Sequence, residues 1–222
     1  MKTLLLSASF LFAASALATT TNCQSGSMGS YLASSFSCES GSLIFSSFGY
    51  LGTGEDANAS SVSITPLTAA DAEGFQFAGG WSAQSQNGVS NSEGSQITYT
   101  VQRPGGLIDS LSLSFGSIVT GTGTASVTEQ FCLGASINNC PQVTEGSVAV
   151  TNPGSGFTDR AFFAGVESVG VSNTINVTSG VNGTASISYV GNTFSAPEPL
   201  SFVLLGTGLL GIGLMRRRLD RR

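Results

Sequence analysis

The most constraining feature of this chain is a strict two-residue alternation of apolar and polar side chains over short runs. At 97–101 apolar residues hold the odd positions and threonines the even ones, and 111–115 repeats the pattern with serines. Alternation with this period is typical of half-buried β-strands. Similar runs occur at 43–50, 62–64, 75–77, 125–131, 148–150, 169–171, 175–177 and 187–189.

Clusters of Gly, Asn, Asp and Ser separate these runs, as hairpin turns require. The pattern therefore predicts an all-β fold, a single antiparallel β-sandwich of jelly-roll-like form over 19–195, with about eight to ten short strands. A flatter solenoid is the alternative, and the lack of a fixed-period repeat disfavours it. The best helical candidate is 68–73. In the last run, alternation places Ile187 and Tyr189 on the same face.

The N-terminus has the three parts of a secretory signal peptide. Lys2 supplies a positive charge, 4–17 is apolar, and Ala16-Leu17-Ala18 is a small-residue cleavage site. We expect 1–18 to direct export through the Sec translocon and to be cut between Ala18 and Thr19. An uncleaved membrane helix is the alternative, but the apolar run is short for one.

The C-terminus combines three elements in a fixed order. Pro197, Glu198 and Pro199 come first, and 200–215 then gives sixteen residues without a charge. A helix of that length spans about 24 Å, slightly short for a bilayer core, and predicts a brief membrane anchor. The positive-inside rule places the following arginines in the cytoplasm: Arg216, Arg217, Arg218, Arg221 and Arg222.

This order, over 196–222, resembles the PEP-CTERM sorting signal of Gram-negative bacteria. The resemblance implies that an exosortase cuts near Pro197-Glu198-Pro199. The protein would be anchored transiently in the inner membrane and then displayed at the cell surface or secreted, in a bacterium that makes exopolysaccharide. An ordinary single-span anchor is the alternative. The body has a second resemblance, carried by Tyr31, Cys38, 41–48, 123–129 and Cys132. Over most of 23–195 it is similar to uncharacterised exported proteins with the same tail, and that similarity implies no activity.

The charge of the body limits its partners. Between 19 and 199 there are two arginines and twelve acidic residues, a net charge of −10. Such a surface cannot neutralise phosphates, so nucleic acid is excluded as a partner. Exopolysaccharide of the surrounding matrix or biofilm remains a candidate partner.

The four cysteines fall into two local pairs. In an oxidising compartment we expect two disulfides, and of the three possible pairings we favour Cys23–Cys38 with Cys132–Cys140. A zinc site is the alternative. It is disfavoured because the spacings do not match zinc motifs and the chain contains no His.

The residue inventory argues against catalysis. Without His, and with Lys2 lost with the signal peptide, neither a histidine triad nor a Ser–Lys dyad can form. We therefore expect no enzymatic activity, no cofactor and no metal. The acidic residue that merits most attention is Glu129, because alternation in its strand points it inward. An inward Glu129 paired with Arg160 or Arg103 would be structural, and Glu129→Gln should then lower stability.

Three groups of residues could bind ligands, and each has an ordinary structural interpretation that we favour. The acids at 55–56 and those at 71 and 73 could bind Ca²⁺, but solvated loops are favoured. Trp81 with Tyr99 or Tyr50 could form a sugar-stacking platform, but aromatic residues of β-proteins more often belong to the core. Glycosylation sequons begin at Asn58, Asn176 and Asn182.

The function that this sequence favours is that of an exported, non-enzymatic surface or matrix protein sorted by an exosortase. A carbohydrate-binding module in the same matrix is the alternative, and a secreted hydrolase is the third candidate.

Overall fold

The structure, a computed structural model, describes residues 21–53, 58–69, 72–140 and 146–195. Helix is confined there to α1 (Met28–Tyr31) and a 3₁₀ turn at Ile137–Asn139. No helix in these ranges has the length and hydropathy needed to cross a membrane. The predicted signal peptide, the sorting motif and the terminal arginines lie outside the described residues.

Two seven-stranded sheets face each other and confirm the predicted all-β sandwich. Sheet A contains, in spatial order, β1 (Thr21–Asn22), β3 (Ser37–Ser40), β4 (Leu43–Thr53), β8 (Ser92–Gln102), β13 (Ser168–Thr178), β10 (Thr124–Leu133) and β11 (Gly146–Asn152). Sheet B contains β12 (Thr158–Val166), β9 (Ile108–Thr120), β14 (Thr184–Ser195), β6 (Ala72–Ala78), β5 (Ser63–Ala69) and β2 (Gly26–Ser27), with β7 (Ser82–Gln84) pairing beside β14. The pairings are antiparallel except for β1 with β3.

The core lies between the sheets and is built by the alternating positions. Tyr99 of sheet A and Phe75 of sheet B are fully buried, as is Phe45, whose ring centroid lies 4.4 Å from that of Phe75. Such edge-to-face aromatic pairs contribute about 1 kcal/mol beyond the area they bury. The inward-facing residues of the predicted runs thus form one continuous apolar layer.

The predicted helix at 68–73 is wrong. Thr68 and Ala69 end β5, Ala72 begins β6, and the two strands pair with Ala69 opposite Ala72. A two-turn helix gains few hydrogen bonds after nucleation. β5 and β6 pair with each other, and β6 also pairs with β14. The hydrogen bonds of this sheet outnumber those that a two-turn helix could form.

Both disulfides form as predicted from the local pairing. Cys23 bonds to Cys38 with the Cα atoms 4.8 Å apart, and Cys132 bonds to Cys140 with the Cα atoms 5.8 Å apart. The second disulfide holds the 3₁₀ turn against the outer face of sheet A. There the Ile137 amide donates to Thr100 Oγ1 at 3.1 Å, so part of this face is covered.

The last strand of sheet A is protected by a side chain from sheet B. β11 pairs with β10 on one side, and on β11 the Ala149 amide donates to Asp159 Oδ2 at 2.9 Å. Oδ1 of the same carboxylate accepts the Arg160 amide at 2.8 Å. An edge amide that is already bonded cannot pair with another chain, so Asp159 guards β11 against edge-to-edge association.

Candidate functional site

Four polar side chains meet inside the apolar core, and we call them the buried polar cluster: Tyr99, Glu129, Asn173 and Asn192. Glu129 on β10 stands opposite Asn173 on β13 in sheet A. Asn192 reaches the cluster from β14 in sheet B, and Tyr99 belongs to β8. All four side chains are 0% exposed. The cluster therefore spans the interface between the two sheets.

Hydrogen bonds join three members of the cluster. Asn192 donates to the Glu129 carboxyl group and also to Asn173 Oδ1, at 3.3 Å in the second case. Asn173 Nδ2 donates in return to Asn192 Oδ1 at 2.9 Å. The Tyr99 hydroxyl and Glu129 Oε1 lack a hydrogen bond of good geometry in the described part of the chain. Asn173 is near enough to the Tyr99 hydroxyl to influence it, but not aligned for a full bond.

Burial dominates the electrostatics of the cluster. It raises the pKa of Glu129 to about 8, although the bond from Asn192 opposes the rise. Burial also raises the pKa of Tyr99 well above its ordinary value, and the nearby Glu129 charge adds to that effect. Within the described residues, no basic group offsets the effect of burial, so the raised pKa favours the protonated carboxyl group near neutral pH.

Glu129 points inward as predicted, but the predicted arginine partner is wrong. Arg160 lies on the outside of sheet B, where Nη2 donates to Ser110 Oγ at 3.0 Å and to Ser195 Oγ at 3.3 Å. Arg103 Nη1 donates to the Leu107 carbonyl at 3.2 Å. A guanidinium keeps its hydration more cheaply at the surface, and asparagines meet the hydrogen-bonding need inside.

A protonated carboxyl group in an enzyme can act as a general acid, but it must reach the substrate. The cluster is closed between the two sheets, and all four of its side chains are inaccessible to solvent. The hydrogen bonds of the cluster join the two sheets to each other.

The outside of sheet B offers a second candidate site, which we call the outer strip: Phe162, Arg160, Ser112, Ser114, Thr193 and Tyr189. Arg160 and Ser112 are cross-strand partners, as are Ser112 and Thr193. Phe162 lies at one end of the strip and is 74% exposed, and Tyr189 lies at the other end and is 36% exposed. Arg160 covers the Phe162 ring with its guanidinium carbon 4.6 Å from the ring centroid.

A β-bulge aims Tyr189 at this face. Ile187 pairs with Ser117 and Tyr189 with Gly116, so Ser188 is an extra residue in β14. The insertion reverses the alternation, so Ile187 is buried while Tyr189 turns outward. The prediction that these two side chains share a face is therefore wrong. Sequence alternation alone carried no signal for this site.

Gly116 makes room for the Tyr189 ring. A Cβ atom at Gly116 would lie 2.4 Å from Tyr189 Cε1 and 2.8 Å from Cδ1, so the ring covers the glycine backbone. Ser188 Oγ donates to the Gly116 carbonyl at 3.1 Å and fastens the bulge. Ring, glycine and bulge together present a tyrosine supported from below by the sheet.

The core interpretation of Trp81, Tyr99 and Tyr50, which the sequence favoured over a sugar-stacking platform, is confirmed for Trp81 and Tyr99. Trp81 is 2% exposed and Tyr99 is fully buried. The Trp81 indole donates to Ser95 Oγ at 2.8 Å, and the same oxygen lies 2.8 Å from the Tyr50 hydroxyl. These aromatic residues thus serve packing and internal hydrogen bonding.

Of the acids considered as calcium ligands, Glu73 lies in the described part of the chain. Glu73 accepts hydrogen bonds from the Ser42 amide and hydroxyl, at 3.0 Å and 2.9 Å. The acids at 55, 56 and 71 lie outside the described residues, and no metal-binding group of His, Cys, Asp and Glu occurs within the described part. The three sequon asparagines, at 58, 176 and 182, are exposed.

An open groove of about 460 Å³ lies beside α1, between Tyr31, Phe36 and the chain at 21–26. The Tyr31 hydroxyl donates to the Gln24 carbonyl, and burial raises the pKa of Tyr31. The described lining carries no Asp, Glu, Lys or Arg, so the groove offers no acid–base pair.

No protein-family model and no curated protein matches this chain. Among solved structures, the chain resembles the carbohydrate-binding module TmCBM61, solved in complex with β-1,4-galactotriose. The two are 12% identical, and the match covers 65% of this chain and 86% of the module with a TM-score of 0.30. A score of that size is too low to establish a shared fold.

Proposed function

We propose that this protein is an exported surface or matrix protein, sorted by an exosortase and without enzymatic activity. The observation that carries the proposal is the order at the C-terminus: Pro197-Glu198-Pro199, a short apolar span and five arginines. The last strand of the sandwich, β14, ends at Ser195, two residues before Pro197. Cleavage at that motif would leave every described strand intact.

The two disulfides support export. Disulfides form and persist in the periplasm and outside the cell, and are rare in the cytosol. Both pairs here lie in the part of the chain that would follow the signal peptide, and no cysteine of the chain is free. The proposal includes removal of 1–18 by cleavage between Ala18 and Thr19. We also propose that the strands of the sandwich are connected in a jelly-roll-like order.

The absence of catalysis is proposed from the placement of the acids. General acid catalysis near neutral pH needs a carboxyl group of raised pKa that touches substrate. Glu129 has the raised pKa but lies sealed between the sheets. A screen of the secreted protein for glycosidase and esterase turnover tests this, and any turnover lost in Glu129→Gln would favour the hydrolase.

Processing is tested by intact-mass analysis of the protein recovered from the cell surface and medium of its producing bacterium. We expect a mass without 1–18 and without most or all of 200–222. Replacing Arg216, Arg217 and Arg218 by Glu should block maturation, because positive charge holds the tail in the cytoplasm. Replacement by Lys is the matched control and should mature normally. A surface protein that retains 200–222 would contradict the sorting proposal.

Carbohydrate binding is the second candidate function. The observation that favours it is the outer strip, where Tyr189 and Phe162 present aromatic rings to solvent beside hydroxyl side chains. A glycan array probed with purified 19–195 tests this function. The array is independent of the processing experiment, because it uses a body that already lacks both terminal segments.

A further inference from the structure

We infer that the outer strip of sheet B binds an extended, neutral, β-linked glucan, with sugar rings on Tyr189 and Phe162. This inference rests on the proposed carbohydrate-binding role and names its site and ligand class. The two rings face the same side of the sheet, because Phe162 stands opposite Ser110 and Tyr189 opposite Gly116 on β9. Ser110 and Gly116 are six positions apart along β9, which corresponds to about 20 Å of strand.

The presentation of Tyr189 is the first reason. A bulge reverses the alternation of β14 to expose this ring, and Gly116 leaves the space that the ring occupies. Bulges commonly re-aim side chains next to functional sites. The ring is supported by backbone, so it loses little conformational freedom when a sugar stacks on it.

The side chains between the rings are the second reason. Ser112 and Ser114 of β9 and Thr193 of β14 face outward, and Gln76 of β6 lies beside them across Gly191. Gln76 and Thr193 form no side-chain hydrogen bond within the described residues. Arg160 aside, these side chains are uncharged, and they include both hydrogen-bond donors and acceptors. A β-1,4-linked glucan is an extended ribbon with hydroxyl groups along its edges, so it can lie along these hydroxyl and amide side chains.

Charge and patch size argue against other occupants. Arg160 is the one cation of the strip, and it is already engaged by Ser110, Ser195 and the Phe162 ring. The body is strongly acidic, which disfavours anionic polysaccharides, nucleic acid and anionic lipid. Serine is depleted in protein interfaces, and Ser112 and Ser114 lie between the positions of the two rings on β9. A neutral glucan fits all of these properties.

The test uses purified 19–195, which contains both disulfides and the complete buried core. Affinity electrophoresis would be run in gels containing hydroxyethyl cellulose, a soluble β-1,3-glucan or alginate. We expect retardation by at least one of the neutral glucans and none by alginate. Tyr189→Ala and Phe162→Ala should each weaken binding about tenfold or more, as for an aromatic hot spot. Tyr189→Phe keeps the ring and should bind nearly as well as the unmodified body.

Two further variants test whether binding depends on where the Tyr189 ring lies, and not only on whether the body is folded. Gly116→Ala keeps Tyr189 but pushes its ring off the sheet, and should weaken binding about as much as Tyr189→Ala. Leu51→Ala is the matched control, because Leu51 is 62% exposed on the outer face of sheet A. It should leave binding unchanged. Circular dichroism and thermal unfolding would confirm that each variant is folded.

Three outcomes would overturn the inference. Glucan binding that survives Tyr189→Ala and Phe162→Ala would place the site elsewhere, while the carbohydrate-binding role would stand. Binding to alginate that is lost in Arg160→Ala would make the ligand acidic. A folded body that binds neither neutral glucan would refute this ligand class, and the processing experiment would still decide the sorting proposal separately.

Discussion

Asn192, on strand β14 of one sheet, donates a hydrogen bond to the Glu129 carboxyl group on strand β10 of the other. Both side chains are fully buried, and 63 residues separate them in sequence. Asn173 completes the contact through its own bonds with Asn192. A polar contact of this kind across an apolar core specifies how the two sheets face each other, because a shifted packing would leave these groups unbonded.

Replacing Glu129 by Gln should change how stability depends on pH. The folded protein holds the Glu129 proton up to a pKa of about 8, whereas the unfolded chain releases it near 4.5. The stabilisation is thus fully present below pH 4.5 and is lost as pH rises through 8, by at most about 1.4 kcal/mol per pH unit. The neutral amide of Gln avoids this loss while still accepting from Asn192. The free energy of unfolding of Glu129→Gln should therefore equal that of the unmodified protein near pH 4 and be larger above pH 8.

Urea unfolding between pH 4 and pH 9 measures this difference. Glu167→Gln is the control, because it makes the same chemical change at an exposed position. If Glu129→Gln were less stable throughout the range, Glu129 would be charged and compensated in the folded state. This outcome corresponds to the arginine pairing that the sequence predicted.

Tyr99→Phe should leave the free energy of unfolding unchanged or raise it by about 1 kcal/mol. The Tyr99 hydroxyl is buried without a well-aligned partner, so removing it eliminates an unpaired polar group. Tyr50→Phe is the matched control, since the Tyr50 hydroxyl lies 2.8 Å from Ser95 Oγ. Tyr50→Phe should lower the free energy of unfolding by about 1 kcal/mol. A comparable cost for Tyr99→Phe would mean that its hydroxyl is hydrogen-bonded in solution.

Removing each disulfide should destabilise the body according to the loop that it closes. In the chain-entropy relation, the 15-residue separation of Cys23 and Cys38 corresponds to about 3 kcal/mol. The 8-residue separation of Cys132 and Cys140 corresponds to about 2.5 kcal/mol. Chemical denaturation of the paired Cys→Ala variants measures both, and peptide mapping without reductant should recover the two local pairs. Four free thiols in exported protein would contradict export through an oxidising compartment.

Asp159→Ala should promote self-association. The change releases the Ala149 amide on the edge strand β11 and leaves it open to another chain. We expect dimers or larger species in sedimentation velocity at concentrations where the unmodified body is monodisperse. Asp109→Ala removes the same charge from the interior strand β9 and serves as the control. Equal behaviour of the two variants would show that Asp159 does not protect the edge.

Side-chain direction was predictable wherever a strand is regular. Ile97, Tyr99 and Val101 alternate in the sequence and are all buried, because extended backbone sends successive side chains to opposite faces. The same rule turned Glu129 inward correctly. It failed at Tyr189, because the bulge at Ser188 arises from the register between β14 and β9, which residues 187–189 do not encode locally.

The sequence by itself determined the β class, the inward positions of regular strands and the two disulfide pairs, because alternation and short cysteine loops act over few residues. Only the tertiary structure decided that asparagines, and no arginine, accompany Glu129, since Asn173 and Asn192 approach from a neighbouring strand and from the opposite sheet. It also decided that Trp81 is internal while Tyr189 faces solvent. Partner choice and exposure depend on how distant strands pack, and no local pattern carries that information.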